Sequence, residues 1–375
     1  MTVPVASDRF IATYRVAAIA ADIERRAQAI AVEQSVEMPL PAVRDPWVRE
    51  HIVGEVAQIV PDGPAHFRVS IALATATTGL EAGQLLNMAF GNSSLQADVE
   101  LVDLLLPGAL LAAMPGPRFG SAGMRLACGA HDRALTCSAL KPQGLHAADL
   151  AALAGTFARA GIDVIKDDHG IANQAYAPFA QRVAAVQRAV REANAATGHR
   201  TVYAPTLSGG PTQMIAQARL ARDEGVGMVL VAPMLAGIPV LVELVREHLH
   251  VPVLAHPSFA GAQRIAPDLL LGTLFRLFGA DAVIFPNHGG RFSYDERTCR
   301  DLACRLAAPL AGLPAALPVP AGGMSAERAD EMLAFYGRDV MLLVGGALLA
   351  ADEGLPAAAG TFVQRVRAAT WGTAA

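Results

Sequence analysis

Lysine is almost missing from this chain. Of thirty basic residues in 375, only Lys141 and Lys166 are lysines, and the rest are arginines. A GC-rich genome accounts for much of that imbalance, since arginine serves a solvated charge as well as lysine does. A lysine that survives such pressure is a candidate for a task arginine cannot do, losing its proton or forming an adduct, and its location decides. Cysteine is scarce too. Cys128, Cys137, Cys299 and Cys304 show no CxxC spacing, which argues against a zinc site and favours free thiols in a reducing compartment. The net charge is only −4, with no basic run, so nucleic acid and anionic membranes find no electrostatic footprint. The opening residues MTVPVASDRF lack the basic and apolar regions of a signal peptide. Two uncharged stretches, 225–242 and 306–326, are long enough to raise a membrane helix, but each carries several Pro and Gly residues. They read as short buried strands and turns, and a cytoplasmic protein with no membrane span is expected.

What is abundant is apolar: 53% of residues, ample for one large core and a smaller one. From residue 134 onward, eight short apolar runs alternate with segments of helical periodicity: 134–141, 162–167, 201–206, 227–232, 251–256, 282–285, 317–320 and 340–344. Near-continuous apolar strands separated by helices imply parallel strands covered on both faces. Eight units in this length suit a (β/α)8 TIM barrel over 119–375. An open doubly wound sheet is the alternative, because closure cannot be read from sequence. Residues 1–118 read as a smaller α+β domain, ferredoxin-like, with strands near 10–16, 53–60, 65–73 and 98–105 and helices near 22–32 and 80–88. The Pro/Gly-rich MPGPRFG (114–120) would link the two.

In such barrels the reacting groups project from the C-terminal strand ends. The polar residues there are Lys141, then Lys166-Asp167-Asp168-His169, Ser208, His256 and Asn287-His288, followed by the pairs Gly322-Gly323 and Gly345-Gly346. Both lysines fall at strand ends. The glycine pairs, after the seventh and eighth strands, suit a phosphate cradle built from backbone N–H groups. Taken singly, each pair could as well be a tight turn. The KDDHG run crowds a lysine and two aspartates at a barrel mouth, which is costly unless they pair or hold a cation, and Asp168 suits a hard ion such as Mg²⁺. A solvated charged loop is the bland reading of the same residues.

Several segments together resemble one family. GIDVIKDDHGIANQ (161–174) resembles the GxDxxKDDE motif of the ribulose bisphosphate carboxylase/oxygenase large-chain superfamily, and LKPQG (140–144) resembles its KPK segment. FGNSSLQADVELVDLLLP resembles the end of that family's N-terminal domain, and PAGGM and VGGA its phosphate-binding strand ends. The resemblance implies that Lys166 is carbamylated by CO2 and that the carbamate, Asp168 and His169 hold Mg²⁺. It implies Lys141 as a proton carrier and His256 in the site. Glu33 and Asn92 look like the N-domain residues that reach a partner's site, making a homodimer obligatory.

The departures bear on function. His169 stands where carboxylases have a third carboxylate ligand, so it is either a neutral ligand or an acid/base. The strand-six loop NHGGRFSYDE (287–296) has no lysine to steady CO2, and Arg291 presents a different, planar head. Pro257 follows His256 where carboxylases have an arginine for a second phosphate, which suggests one phosphate and an apolar far end. Phe259, Phe285 and Phe292 are candidate lining there, with plain core or loop packing as the alternative. The resemblance then implies a form IV, rubisco-like protein that does not fix CO2. The closest fit is an isomerase acting through a metal-stabilised enediolate on a phosphorylated sugar, 5-methylthioribulose 1-phosphate. A keto–enol tautomerase (2,3-diketo-5-methylthiopentyl-1-phosphate enolase) and a 3-oxo sugar-acid phosphate decarboxylase or transcarboxylase share the same enolate. A Schiff-base aldolase using either lysine is the alternative of another class.

Overall fold

The computed structural model describes residues 8–292, 294–310 and 312–369. The chain divides into two compact units, residues 1–115 with 259–270, and residues 116–258 with 271–375.

The first unit is a four-stranded antiparallel sheet with two main helices. Strands β1 (Arg9–Ala17), β2 (Glu55–Pro61), β3 (His66–Ala74) and β4 (Val99–Leu105) lie in the order β2-β3-β1-β4. Helix Ile23–Glu33 falls between β1 and β2, and helix Ala82–Phe90 between β3 and β4. That order and the βαββαβ sequence of elements are ferredoxin-like. Alternation along β1 buries Phe10, Ala12, Tyr14 and Val16, and the Tyr14 hydroxyl donates to the carbonyl of Ala89 in the second helix. Segment 259–270 joins this unit through a parallel bridge between Leu101 and Ile265. Its grouping with residues a hundred and more positions earlier has no counterpart in the local sequence pattern.

The second unit is a closed eight-stranded barrel. Its strands are β5 (Leu135–Leu140), β6 (Val164–Asp167), β7 (Val202–Ala204), β8 (Val229–Val231), β9 (Val253–Ala255), β10 (Ala282–Pro286), β11 (Leu317–Ala321) and β12 (Met341–Leu343). All ladders are parallel and form two arcs, β12-β5-β6-β7 and β8-β9-β10-β11. The bridge Thr206–Leu230 joins the arcs on one side, and β11 lies beside β12 on the other. Closure removes the open-sheet alternative.

Side-chain alternation sorts every barrel strand. Cys137, Val164, Ala204, Leu230, Leu254, Ile284, Val319 and Leu343 belong to one buried cluster that fills the barrel. Residues of the other parity face the helical layer. At the barrel's N-terminal end two buried carboxylates lace strands together. Asp163 takes Arg133 at 2.7 and 2.6 Å and the Thr136 hydroxyl at 2.9 Å. Asp281 accepts the backbone N–H groups of Phe119, Gly120 and Val253. The Pro/Gly segment is thus pinned to the barrel at 119–120. All four cysteines are free, and only Cys304 is exposed. Among the described residues no helix is long and apolar enough to cross a membrane.

Candidate active site

The alternation that fills the barrel also sorts the KDD run. Val164 faces inward, so Lys166 and Asp168 face inward, and Asp167 faces the helices. The charges that crowd together in the sequence are therefore divided between two environments. Lys141 continues the inward parity of Leu135 and Cys137 and arrives in the same mouth.

There the side chains meet. Lys141 Nζ lies 3.1 Å from Asp168 Oδ1, and His169 Nδ1 lies 3.2 Å from the same oxygen. Lys166 is 3% exposed and donates from Nζ to the carbonyl of Asp167 at 2.9 Å. The rings of His169 and His256 stack, with centroids 4.2 Å apart and planes 13° from parallel. His256 Nδ1 accepts the N–H of Ser258 at 3.1 Å and sits 2.7 Å from its hydroxyl. Ser258 thereby fixes the ring's orientation, a role that sequence reading missed.

The electrostatics follow from burial and neighbours. Burial lowers the Lys166 amine below the ordinary lysine value, a shift that Cys137 and Asp168 only partly oppose. Burial alone would raise Asp168, but hydrogen bonds from His169 and Lys141 and the charge of Lys166 outweigh it and hold the carboxyl well below the usual range. Burial, reinforced by Lys166, pushes His256 down to about 2, so its imidazole is neutral. The mouth thus holds one firm carboxylate, one amine biased towards losing its proton, and one neutral imidazole.

The glycine pairs differ from each other. Gly322 and Gly323 have φ of 82° and 103°, and they lie against the loop after β10. A Cβ on Gly290 would stand 2.0 Å from the Gly322 carbonyl oxygen, and one on Gly323 would stand 2.8 Å from Gly290 Cα. This pair is needed for close backbone packing whatever else it does, and Phe292 lies over Gly322. By contrast a Cβ on Gly346 would meet nothing within 4 Å, and one on Gly345 would only graze Ala139 and Lys141 at 4.0 Å. That second pair is open and adjoins Lys141.

Glu33 and Asn92 belong to the first unit, where Asn92 Nδ2 donates to Glu33 Oε1 at 2.9 Å. Buried Gln34 sets this pair by bonding the backbone of Asn87, Met88 and Ser93. Asn287 faces the helical layer: Tyr336 donates to it at 2.6 Å, and its amide points at the Met324 and Met332 sulfurs. Phe285 is fully buried and packs edge-on against Tyr336. It has outward parity, so of the two readings of Phe285 it is core packing that holds and not pocket lining. Phe259 and Phe292 are 62% and 54% exposed.

A ferredoxin-like unit and a (β/α)8 barrel in one chain, with Lys141, Lys166, Asp168 and His169 gathered at the barrel's strand ends, define a rubisco-type chain. Residues 122–373 match the family described as ribulose bisphosphate carboxylase large chain, catalytic domain. The chain belongs to that family. Over 364 residues it is 54% identical to a 5-methylthioribulose-1-phosphate isomerase of Rhodospirillum rubrum, covering 97% of each chain. It is also 54% identical over 360 residues to ribulose bisphosphate carboxylase-like protein 1 of Rhodopseudomonas palustris, covering 96% of this chain and 98% of that one. The crystal structure of a rubisco-like protein from Rhodopseudomonas palustris superposes with a TM-score of 0.91 at 50% identity, covering 98% of this chain and all of the other.

Proposed function

We propose that this chain is an isomerase that moves a proton along the carbon chain of a phosphorylated ketose, 5-methylthioribulose 1-phosphate or a close analogue. The observation that carries the reading is the meeting of Lys141, His169 and Asp168 beside the enclosed Lys166 amine. Near-full-length similarity to the Rhodospirillum rubrum isomerase supports the choice of substrate.

The donor set suits Mg²⁺ on one condition. Among the described residues no three of His, Cys, Asp and Glu gather to hold a metal. Asp168 and His169 lie side by side, with an oxygen and a nitrogen 3.2 Å apart, and these two side chains would hold such an ion. A third ligand is complete only if Lys166 carries a carboxylate, as a carbamate with CO2 would provide. Burial favours the neutral amine that this addition needs. The chemistry such an ion supplies is Lewis-acid polarisation of a carbonyl oxygen.

The chain's own groups do the rest. Lys141 Nζ, held by Asp168 and beside open Gly345, is placed to carry a proton to and from carbon or oxygen. Neutral His256 can share a hydrogen bond with a substrate hydroxyl without adding charge. The open Gly345-Gly346 turn offers backbone N–H groups to one phosphate, with Gly322-Gly323 as the second part of the cradle. Glu33 and Asn92 would come from the partner subunit of a homodimer. The loop 287–296 offers no lysine to a carboxylated product, so CO2 serves as a modifier and is not a substrate.

Incubation with 5-methylthioribulose 1-phosphate in D2O tests the reading. Deuterium should enter at carbons flanking the carbonyl, and an isomeric sugar phosphate should form, with dependence on Mg²⁺ and bicarbonate. Lys141→Met should stop exchange while leaving Mg²⁺ binding intact. Trapping of substrate by borohydride, with indifference to EDTA, would establish the Schiff-base aldolase instead.

A further inference from the structure

Asp167, the residue between the two inward-facing site groups, is fully enclosed on the opposite side of the strand. Its Oδ2 accepts from Arg182 Nε at 3.0 Å and from the Thr206 backbone N–H at 3.0 Å, and its Oδ1 accepts from the Tyr203 hydroxyl at 2.8 Å. Arg182 has no exposed surface and donates from Nη1 to the Ala177 carbonyl at 2.7 Å. Its guanidinium also interacts with the Tyr203 side chain.

As a source of stability this is a poor arrangement. Desolvating two charges roughly cancels their attraction, and apolar residues would serve as well. What the network does achieve is geometric. One carboxylate ties the end of β6 to Tyr203 and Thr206 of the neighbouring strand end. Through Arg182 and Ala177 it also closes the far end of loop 168–178, which carries Asp168 and His169. Two further bonds run back into the mouth, from Lys166 Nζ to the Asp167 carbonyl at 2.9 Å and from the Thr206 hydroxyl to the Asp168 carbonyl at 3.3 Å. Since neighbours on a strand face opposite ways, holding Asp167 outward holds Lys166 and Asp168 inward.

We propose that Asp167, Arg182 and Tyr203 are positioning residues, a buried network that aims Lys166 and Asp168 into the barrel mouth. The inference rests on reading that mouth as the reaction centre.

The scarcity of lysine supplies the assay. With lysine labelled at ¹³Cε, the protein gives two side-chain signals, which Lys141→Arg assigns. Tyr203→Phe removes one hydroxyl from Asp167, and Thr136→Val, the control, removes one from Asp163 at the other end of the barrel. Both should melt a few degrees lower. Only Tyr203→Phe should move and broaden the Lys166 signal and lower kcat about tenfold with KM within about twofold, as for residues that orient a site from behind. If Tyr203→Phe does not fold, Arg182→Lys takes its place with the same expectations. An unmoved Lys166 signal, or an equal change in Thr136→Val, overturns the proposal. Should the wild-type protein not turn over the sugar phosphate, the functional reading fails, and the lysine spectrum still decides this one.

Discussion

Replacing Gly346 by alanine separates a ligand's glycine from a fold's glycine. A Cβ there would meet nothing within 4 Å, and the residue opens the short helix Gly346–Leu349. Its φ lies outside the left-handed region, so alanine fits without strain and stabilises by about 0.4–1 kcal/mol through the unfolded chain. If a phosphate lies over this turn, the new methyl displaces it from backbone N–H groups. One lost charge-assisted hydrogen bond is worth about 1.5–3 kcal/mol, which corresponds to a KM raised about 10- to 150-fold at unchanged kcat. Gly290→Ala is the contrast: its Cβ would stand 2.0 Å from the Gly322 oxygen, so the melting temperature itself must fall, by an overpacking cost of about 1–3 kcal/mol. Melting curves and steady-state kinetics on the two variants make the comparison. A Gly346→Ala enzyme with unchanged melting and unchanged KM would refute the placement of the phosphate.

Two further outcomes follow from the electrostatics. Burial depresses the Lys166 pKa, so below about 10.4 the unfolded chain binds a proton that the folded chain resists, and each unit between the two values costs about 1.4 kcal/mol. Lys166→Met should therefore melt above the wild type at neutral pH, with the gap closing as pH rises towards about 10.4. A gap independent of pH would count against the shift. His169→Glu adds a second carboxylate beside Asp168, so calorimetry should show Mg²⁺ binding tighter by about tenfold and metal-free melting lowered. Unchanged affinity would mean that position 169 does not ligate.

Much of the molecule was legible from local pattern. Eight apolar runs and their intervening periodicity are local properties, and each run coincides with a barrel strand. The convergence of Lys141 and Lys166 was legible because strand ends meet at one barrel face. What stayed hidden depended on parity and on distant packing. Asp167 reads as one more charge in the KDD run, yet counting in twos from Val164 would have turned it outward. The same count from Ile284 turns Phe285 towards Tyr336. Arg182 sits in an amphipathic helix where arginine ordinarily marks the solvent side, and nothing local reveals that it is enclosed. The pairing of 259–270 with β4 joins segments too far apart for any periodicity to show.

The substitution at 169 gains meaning from the charges around it. Asp168 is the one firm carboxylate in the cluster, already shared by Lys141 and His169. A divalent ion on Asp168, a carbamate and a neutral imidazole would be balanced by two negative charges, leaving Lys141 as net positive charge in the mouth. Three carboxylates would cancel that excess. A reaction that stops at an enediolate on a phosphate ester needs only to stabilise developing negative charge on two oxygens, and a residual positive charge favours it throughout. Carboxylation must go on to settle CO2 and a new carboxylate, which calls for a further cation on the strand-six loop, where residues 287–296 hold Arg291 over Phe292 and no lysine. On the proposed reading, the histidine at 169 and the lysine-free strand-six loop would act together, keeping positive charge in the mouth and offering none to a carboxylated product.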